Sequence, residues 1–376
     1  MLVKHRYVAL DWMRGIVMVL MAIDHASGAF NKARLVTDSF FLYQAGMTLP
    51  TLQFFTRWIT HICAPTFLFL AGTALALSLR RRERAGESNA SIDRYLLTRG
   101  LLIALLDPIL ISRFWGYGSI TLQVLYAIGI SLILMIPLRR LRTAWLLGTS
   151  IGFFLVSELV IGVLFSLNNN QPSVIGALMI HPGRFPHLLV AYPVFPWLAV
   201  MMLGFVFGRK LLHSRDSGSP QWSPEKVLFV GGSASLLVFG IIRGLNSYGN
   251  MSLLRENGSL IQWLHVSKYP PSLSFLTLEL GLMGIILSLL FGLQSKAHGP
   301  IRLWNPILVF GQTAFFFYVL HIVSLEMSAR VLNLHMKMGL GTTYMATIAV
   351  LVLLYPCCFW YRRYKTSHPG GWAHYI

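Results

Sequence analysis

The chain has 376 residues, 55% of them hydrophobic and only 12% charged, which excludes a soluble domain folded around one core and indicates a polytopic membrane protein. Its formal charge of +18 would point to nucleic acid in a soluble protein. In a membrane protein the same excess gathers in cytoplasmic loops, so no nucleic-acid partner is expected.

The first apolar stretch, Val8 to Phe30, is long enough to cross a bilayer, which takes about 20 apolar residues. It is too long and too charged for a signal-peptide core and is expected to stay as an anchor. It carries Asp11, Arg14, Asp24 and His25, and ionisable groups at membrane depth face a protein interior or a wet cavity. Ten residues separate Arg14 from His25, which at about 100° per residue returns both to one helix face, about 16 Å apart.

Nine further spans are expected at about 57–79, 95–112, 119–138, 143–166, 188–210, 227–244, 272–294, 304–327 and 340–361, making an all-α bundle of about ten helices with no strands. The third is short and interrupted by Asp107-Pro108. Placing the N-terminus inside puts 20 of the 31 Lys and Arg residues on cytoplasmic segments, including the run Arg80, Arg81, Arg82, Arg84, and only 10 outside, so both termini are expected to be cytoplasmic. The loops are too small to fold separately, and residues 1–376 read as one integral membrane domain. Cys63, Cys357 and Cys358 lie in apolar segments and imply no disulfide framework.

On this topology His25, His61 and His321 share a depth near the outer face, with Asp24, Asp107, Glu158, Glu279 and Glu326 also in outer halves, while Asp11, Arg14 and Arg99 lie towards the inside. Histidine titrates near neutrality and suits general-base work on a hydroxyl or amine. Arginine at depth suits phosphate, although Asp11 and Arg14, at i and i+3, can equally form an internal ion pair. Asp24 points about 100° away from its neighbour His25 and is expected to hold a different partner. Three separated histidines with no pair on one helix are weak grounds for a zinc site, and no metal is expected.

The segments ALDWMRG (9–15), MAIDHA (21–26), CAPTFLFLAGTALALS (63–78), LLTRGLLIALLDP (96–108), YPVFPWLAVMMLGFVFGR (192–209), KYPPSLSFLTLELG (268–281) and FFYVLHI (316–322) resemble bacterial relatives of heparan-α-glucosaminide N-acetyltransferase. The resemblance implies a transmembrane acyltransferase of the bacterial cytoplasmic membrane, with acetyl-CoA or another acyl-CoA used inside and a sugar or other small acceptor modified outside. The wider superfamily includes acyltransferase-3 proteins, whose first span carries an Arg-x10-His motif that Arg14 and His25 match. The glucosaminide enzymes proper place their key histidine in the loop after span one, within His-Ala-x-Trp-Asn-Gly. Here that loop, residues 31–56, has no histidine, so the heparan-type acceptor does not carry over and the role falls to His25.

The resulting expectation has Arg14 and Arg99, with the cytoplasmic basic loops, holding the CoA phosphates and His25 acting as general base or acyl carrier. His61, His321 and Lys268 then serve the acceptor or the thioester oxygen, and Asp24, Tyr192 and Tyr269 line the acceptor side. Membrane lipids are the other partners, and whether the chain forms a homodimer is left open. The alternative is a proton-coupled transporter or flippase for a small or lipid-linked solute, using the buried Asp and His groups as a relay.

Overall fold

Charge decides which helix sits in the middle. With Asp11, Arg14, Asp24 and His25 on it, α1 (Val8–Phe30) cannot face lipid cheaply. In the computed structural model, which describes residues 7–115, 118–217, 222–296 and 304–368, it is surrounded by other helices. The chain continues through α2 (Thr51–Trp58), α3 (Cys63–Arg84), α4 (Asn89–Leu106), a π-helical turn (Asp107–Ile111) and α5 (Ser112–Trp115). Then come β1 (Ile120–Leu122), α6 (Val124–Leu138), α7 (Thr143–Leu167), α8 (Val174–Met179), β2 (Gly183–Phe185) and β3 (Leu188–Val190). The remainder is α9 (Val194–Ser217), α10 (Pro224–Leu245), α11 (Leu260–Leu264), α12 (Leu273–Lys296), α13 (Pro306–Gln312), α14 (Ala314–Val331) and α15 (Leu340–Ser367).

Among the described residues eight helical segments are long and apolar enough to cross a membrane. The charged α1 and the 15-residue α6 are not among them. α1 packs on α3, α12, α13, α14 and α15, and α3 lies along α9. By contrast α7, α10 and α15 expose Leu159, Val163, Val230, Leu237, Val352 and Leu353 on their outer faces, as helices with one lipid-facing side do. The protein is an integral membrane helix bundle. Both ends of the chain, which the Lys/Arg bias assigns to the cytoplasm, lie outside the described residues.

The expectation of no strands is corrected. β1, β3 and β2 form one small sheet, β1 parallel and β2 antiparallel to β3. It sits where the chain has left the helices, so its backbone groups need partners that helix geometry no longer supplies. The third span is interrupted at Asp107-Pro108 as expected, and the ninth, expected to be continuous, is divided. Pro108 has no N–H to donate, and the helix widens there into the π turn. The Asp107 carboxylate then accepts the backbone N–H groups of Gln123 and Tyr126, both at 2.7 Å, and so caps the start of α6. The ninth span breaks at Thr313, between α13 and α14.

The α1–α13 crossing is a backbone contact. A Cβ on Gly311 would lie 1.8 Å from the Asp11 carbonyl oxygen, and one on Gly15 would lie 1.9 Å from that of Ile307. Gly311→Ala should therefore destabilise by about 1–3 kcal/mol or more in denaturant unfolding of the detergent-solubilised protein. Gly148→Ala on α7, where nothing lies within 4 Å, should be neutral or mildly stabilising. Equal stability of the two variants would refute the close approach.

Candidate active site

The C-terminal half of α1 and the middle of α14 bring two histidines into contact. His25 Nδ1 is 2.7 Å from His321 Nε2, and His321 Nδ1 is 2.8 Å from the Phe317 carbonyl oxygen. The carbonyl can only accept, so His321 carries its proton on Nδ1 and presents a bare Nε2. His25 must therefore donate from Nδ1, which leaves the lone pair of His25 Nε2 without a hydrogen-bond partner among the described residues. A buried hydrogen bond that fixes the tautomer and aims the other nitrogen is what a general base requires. Phe317 stacks on His321 with ring centroids 4.9 Å apart, and Trp115 meets His25 edge to face at 4.6 Å. Trp115 is itself held by its indole N–H, which donates to Glu326 at 2.8 Å.

His25 lines a small cavity, about 40 Å³, together with Met21, Asp24, Cys63, Trp115, Tyr192, Lys268 and Tyr318. Asp24 points away from His25, as its helix position implies. It pairs with Arg34 at 3.0 Å and Arg57 at 2.6 Å. Arg57 also reaches Asp38 at 2.6 Å, and Asp38 lies 3.2 Å from His61 Nε2. Burial works against the ionised form of Asp38, but Arg57 and the contact with His61 outweigh it and hold the carboxyl well below its ordinary range. His61 therefore belongs to a charged brace behind the cavity, not to its wall. Lys268, only 3% exposed, is fixed by its backbone N–H, which donates to the Asp38 carbonyl at 2.8 Å. The Tyr192 and Tyr269 hydroxyls are 3.1 Å apart.

Loop 246–271, which carries Lys268, is organised by Arg243. That side chain is fully buried, and its guanidinium donates to the carbonyls of Leu253, Gln262, Trp263 and His265 and to Asn250. Burial lowers the His265 imidazole below its ordinary value, against the opposing hydrogen bond with the Thr37 carbonyl.

A second cavity, about 340 Å³, opens at the other end of the bundle between α3, α6 and α9. Arg80, Arg139, Arg209, His213 and the Phe205 ring line it, with Glu83 and Asp216. Arg209 lies over the Phe205 ring at 4.6 Å and donates to the Leu141 carbonyl at 2.7 Å, while Arg139 pairs with Asp93 at 2.8 Å. Neither Arg14 nor Arg99 lines either cavity. Arg14 pairs with Asp11 at 2.9 Å, and Arg99 donates to the Tyr95 hydroxyl at 3.2 Å. Among the described residues no group of three His, Cys, Asp or Glu is placed to hold a metal ion.

Sequence reasoning passed over Arg34, Asp38, Arg57 and Trp115 as functional neighbours, and placed Arg139 and Arg209 among the basic cytoplasmic segments without singling them out. Arg57 alone carried a signal, being a cation two residues from the start of an apolar run in TRWITH.

Residues 6–243 match the family model described as heparan-alpha-glucosaminide N-acetyltransferase, catalytic. No curated protein matches the chain. The matched region contains α1 with His25, the charged brace and the basic cavity, and covers more than half of the chain. The chain therefore belongs to the heparan-α-glucosaminide N-acetyltransferase catalytic family and is an acyl-CoA-dependent membrane acyltransferase.

Proposed function

We propose that the protein takes an acyl group from acyl-CoA bound at its cytoplasmic end and passes it to a hydroxyl or amine acceptor at the outer end, with His25 Nε2 as the base. The observation that carries this reading is the tautomer fixed by the His25–His321–Phe317 chain. His25 Nε2 removes the proton from the acceptor as its oxygen or nitrogen attacks the thioester carbon, and the resulting imidazolium returns that proton to the departing CoA sulfur. His321 is the positioning residue, and Trp115 packs on the open edge of the ring.

The topology is ten spans with α1 and α6 included and both termini inside, the whole chain forming one domain. The Lys/Arg bias supports it, as does the depth at which α1 lies buried. In this orientation the 340 Å³ cavity is cytoplasmic. Arg139 and Arg209 meet the CoA phosphates there, and the Phe205 ring offers an apolar surface beside them. The two cavities share walls: α3 contributes Ala64 to the outer and Ala76 to the inner, about 18 Å apart by helix rise. That is a length the pantetheine arm spans. Arg14 and Arg99 then support the bundle and do not ligate the donor.

The test is acetyl transfer or hydrolysis by purified protein with varied donor. Arg209→Ala should raise the KM for acetyl-CoA about 10-fold or more with kcat nearly unchanged, as loss of a charged hydrogen bond to a phosphate predicts. Arg14→Ala should not change it. A donor KM that responds to Arg14 and ignores Arg209 would put the nucleotide elsewhere.

A further inference from the structure

We propose that the Lys268 ammonium stabilises the oxyanion of the acyl-transfer step, taking the negative charge that develops on the thioester carbonyl oxygen. The inference rests on the reading of His25 as the base. Lys268 is 97% buried by its 3% exposure and lines the same cavity as His25. Among the described residues no carboxylate lies within ion-pair distance of its Nζ, which sits 5.3 Å from the centroid of the Tyr269 ring. The carboxyl groups around it are committed elsewhere or out of contact. Asp24 is held by Arg34 and Arg57, Asp38 by Arg57 and His61, and Glu279 of α12 interacts with Lys268 only at longer range. A buried cation without a contacting anion is costly unless its site calls for one.

The cavity that Lys268 shares with His25 points to what that anion is. A single water needs about 10–15 Å³ of this kind of space, so about 40 Å³ admits roughly three heavy atoms. An acetyl group has three. The cavity is not closed, so the acceptor and the thioester can meet at His25, and the charge that Lys268 faces there is the one created on the acyl oxygen during reaction. As the acceptor lone pair forms a bond to the carbonyl carbon, the C=O π pair moves onto oxygen, opposite the ammonium, while His25 Nε2 takes the acceptor proton. The oxyanion pair then re-forms C=O, the C–S bond breaks, and the CoA thiolate leaves with the proton from His25. Nothing is oxidised or reduced. The same oxyanion arises if His25 itself attacks first. A cation already held beside the reacting carbonyl costs little reorganisation when the charge appears.

Lys268→Met should lower kcat for acetyl transfer about 10²–10³-fold, as removal of one oxyanion donor does. Its affinity for S-ethyl-CoA, a thioether that lacks the carbonyl, should stay at the wild-type value, and Lys268→Arg should recover part of kcat. Should Lys268→Met fail to fold, Lys268→Gln, which keeps a donor without the charge, carries the same expectation. Wild-type kcat in the folded variant would overturn the proposal, and so would a fall in S-ethyl-CoA affinity that accounts for the lost rate. His25→Ala separates this from the underlying reading. An inactive His25→Ala beside an active Lys268→Met refutes the oxyanion role alone, whereas an active His25→Ala removes the base on which both depend.

Discussion

His25→Ala is expected to lower kcat by about 10²–10⁴-fold, the range that general-base removal spans, while affinity for S-ethyl-CoA is unchanged. The split between rate and binding follows from position: His25 lines the small outer cavity, whereas the basic cavity at the opposite end is lined by Arg139 and Arg209. His321 has a graded effect because it acts through His25. His321→Gln keeps an oxygen that can accept from His25 Nδ1 and should retain more activity than His321→Ala, which frees the ring to rotate and to change tautomer. The pH profile of kcat/KM distinguishes orientation from mere packing, since only a change in the hydrogen bond to Nδ1 moves the basic group's apparent titration. Wild-type turnover by folded His25→Ala would end the assignment.

Arg57→Met should be the most destabilising single change at this end of the protein, by about 3–5 kcal/mol, the cost of leaving buried ionic partners uncompensated. One guanidinium holds both Asp24 and Asp38 at 2.6 Å, and all three side chains are at most 16% exposed. Arg57→Lys should recover only part, because an ammonium cannot fork between two carboxylates. Adding Asp24→Asn and Asp38→Asn to Arg57→Met should restore much of the loss by removing the orphaned charges. The pH dependence follows from Asp38, whose folded-state value is depressed. Its contribution is present above the unfolded aspartate value near 3.9 and is lost as pH falls through the lower folded value. Arg57→Met should remove that depression, so less stability remains to be lost on acidification. Unfolding at several pH values measures both effects, and a variant that unfolds like wild type would show the brace to be dispensable.

Helix positions were readable because apolar length and charge placement are local properties. Asp24 turning away from His25 followed from one residue of helix rotation, and the shared depth of His25 and His321 from counting rise. Depth alone could not separate His321, which touches His25, from His61, which lies on the Asp38 side. Choosing between them needs the rotation of α14 against α1, and that is set by packing. The brace was hidden for the same reason: Asp24, Arg34, Asp38 and Arg57 come from a helix end, a loop and a second helix whose meeting no periodicity encodes. The strands were missed because three-residue segments bounded by turns have no measurable period. Arg139 and Arg209 looked like ordinary inside-positive residues, since a loop arginine and a cavity arginine are spelled alike.

The continuity of α3 has a consequence for how the enzyme handles its donor. One unbroken helix, Cys63–Arg84, forms a wall of the outer cavity at Cys63 and Ala64 and of the inner cavity at Ala76 and Arg80. A rod that touches both sites cannot bring them together, so with the donor bound as proposed α3 would act as a ruler against which the cofactor is measured. Under the proposed function, a donor that anchors its nucleotide among the arginines would have its thioester delivered to His25 by its own length. A short thioester such as S-acetyl-N-acetylcysteamine reaches one end or the other, never both. On the proposed donor site, chain length as well as the acyl group would be a recognised property of the donor, and the cofactor arm would span the distance while the protein stays still.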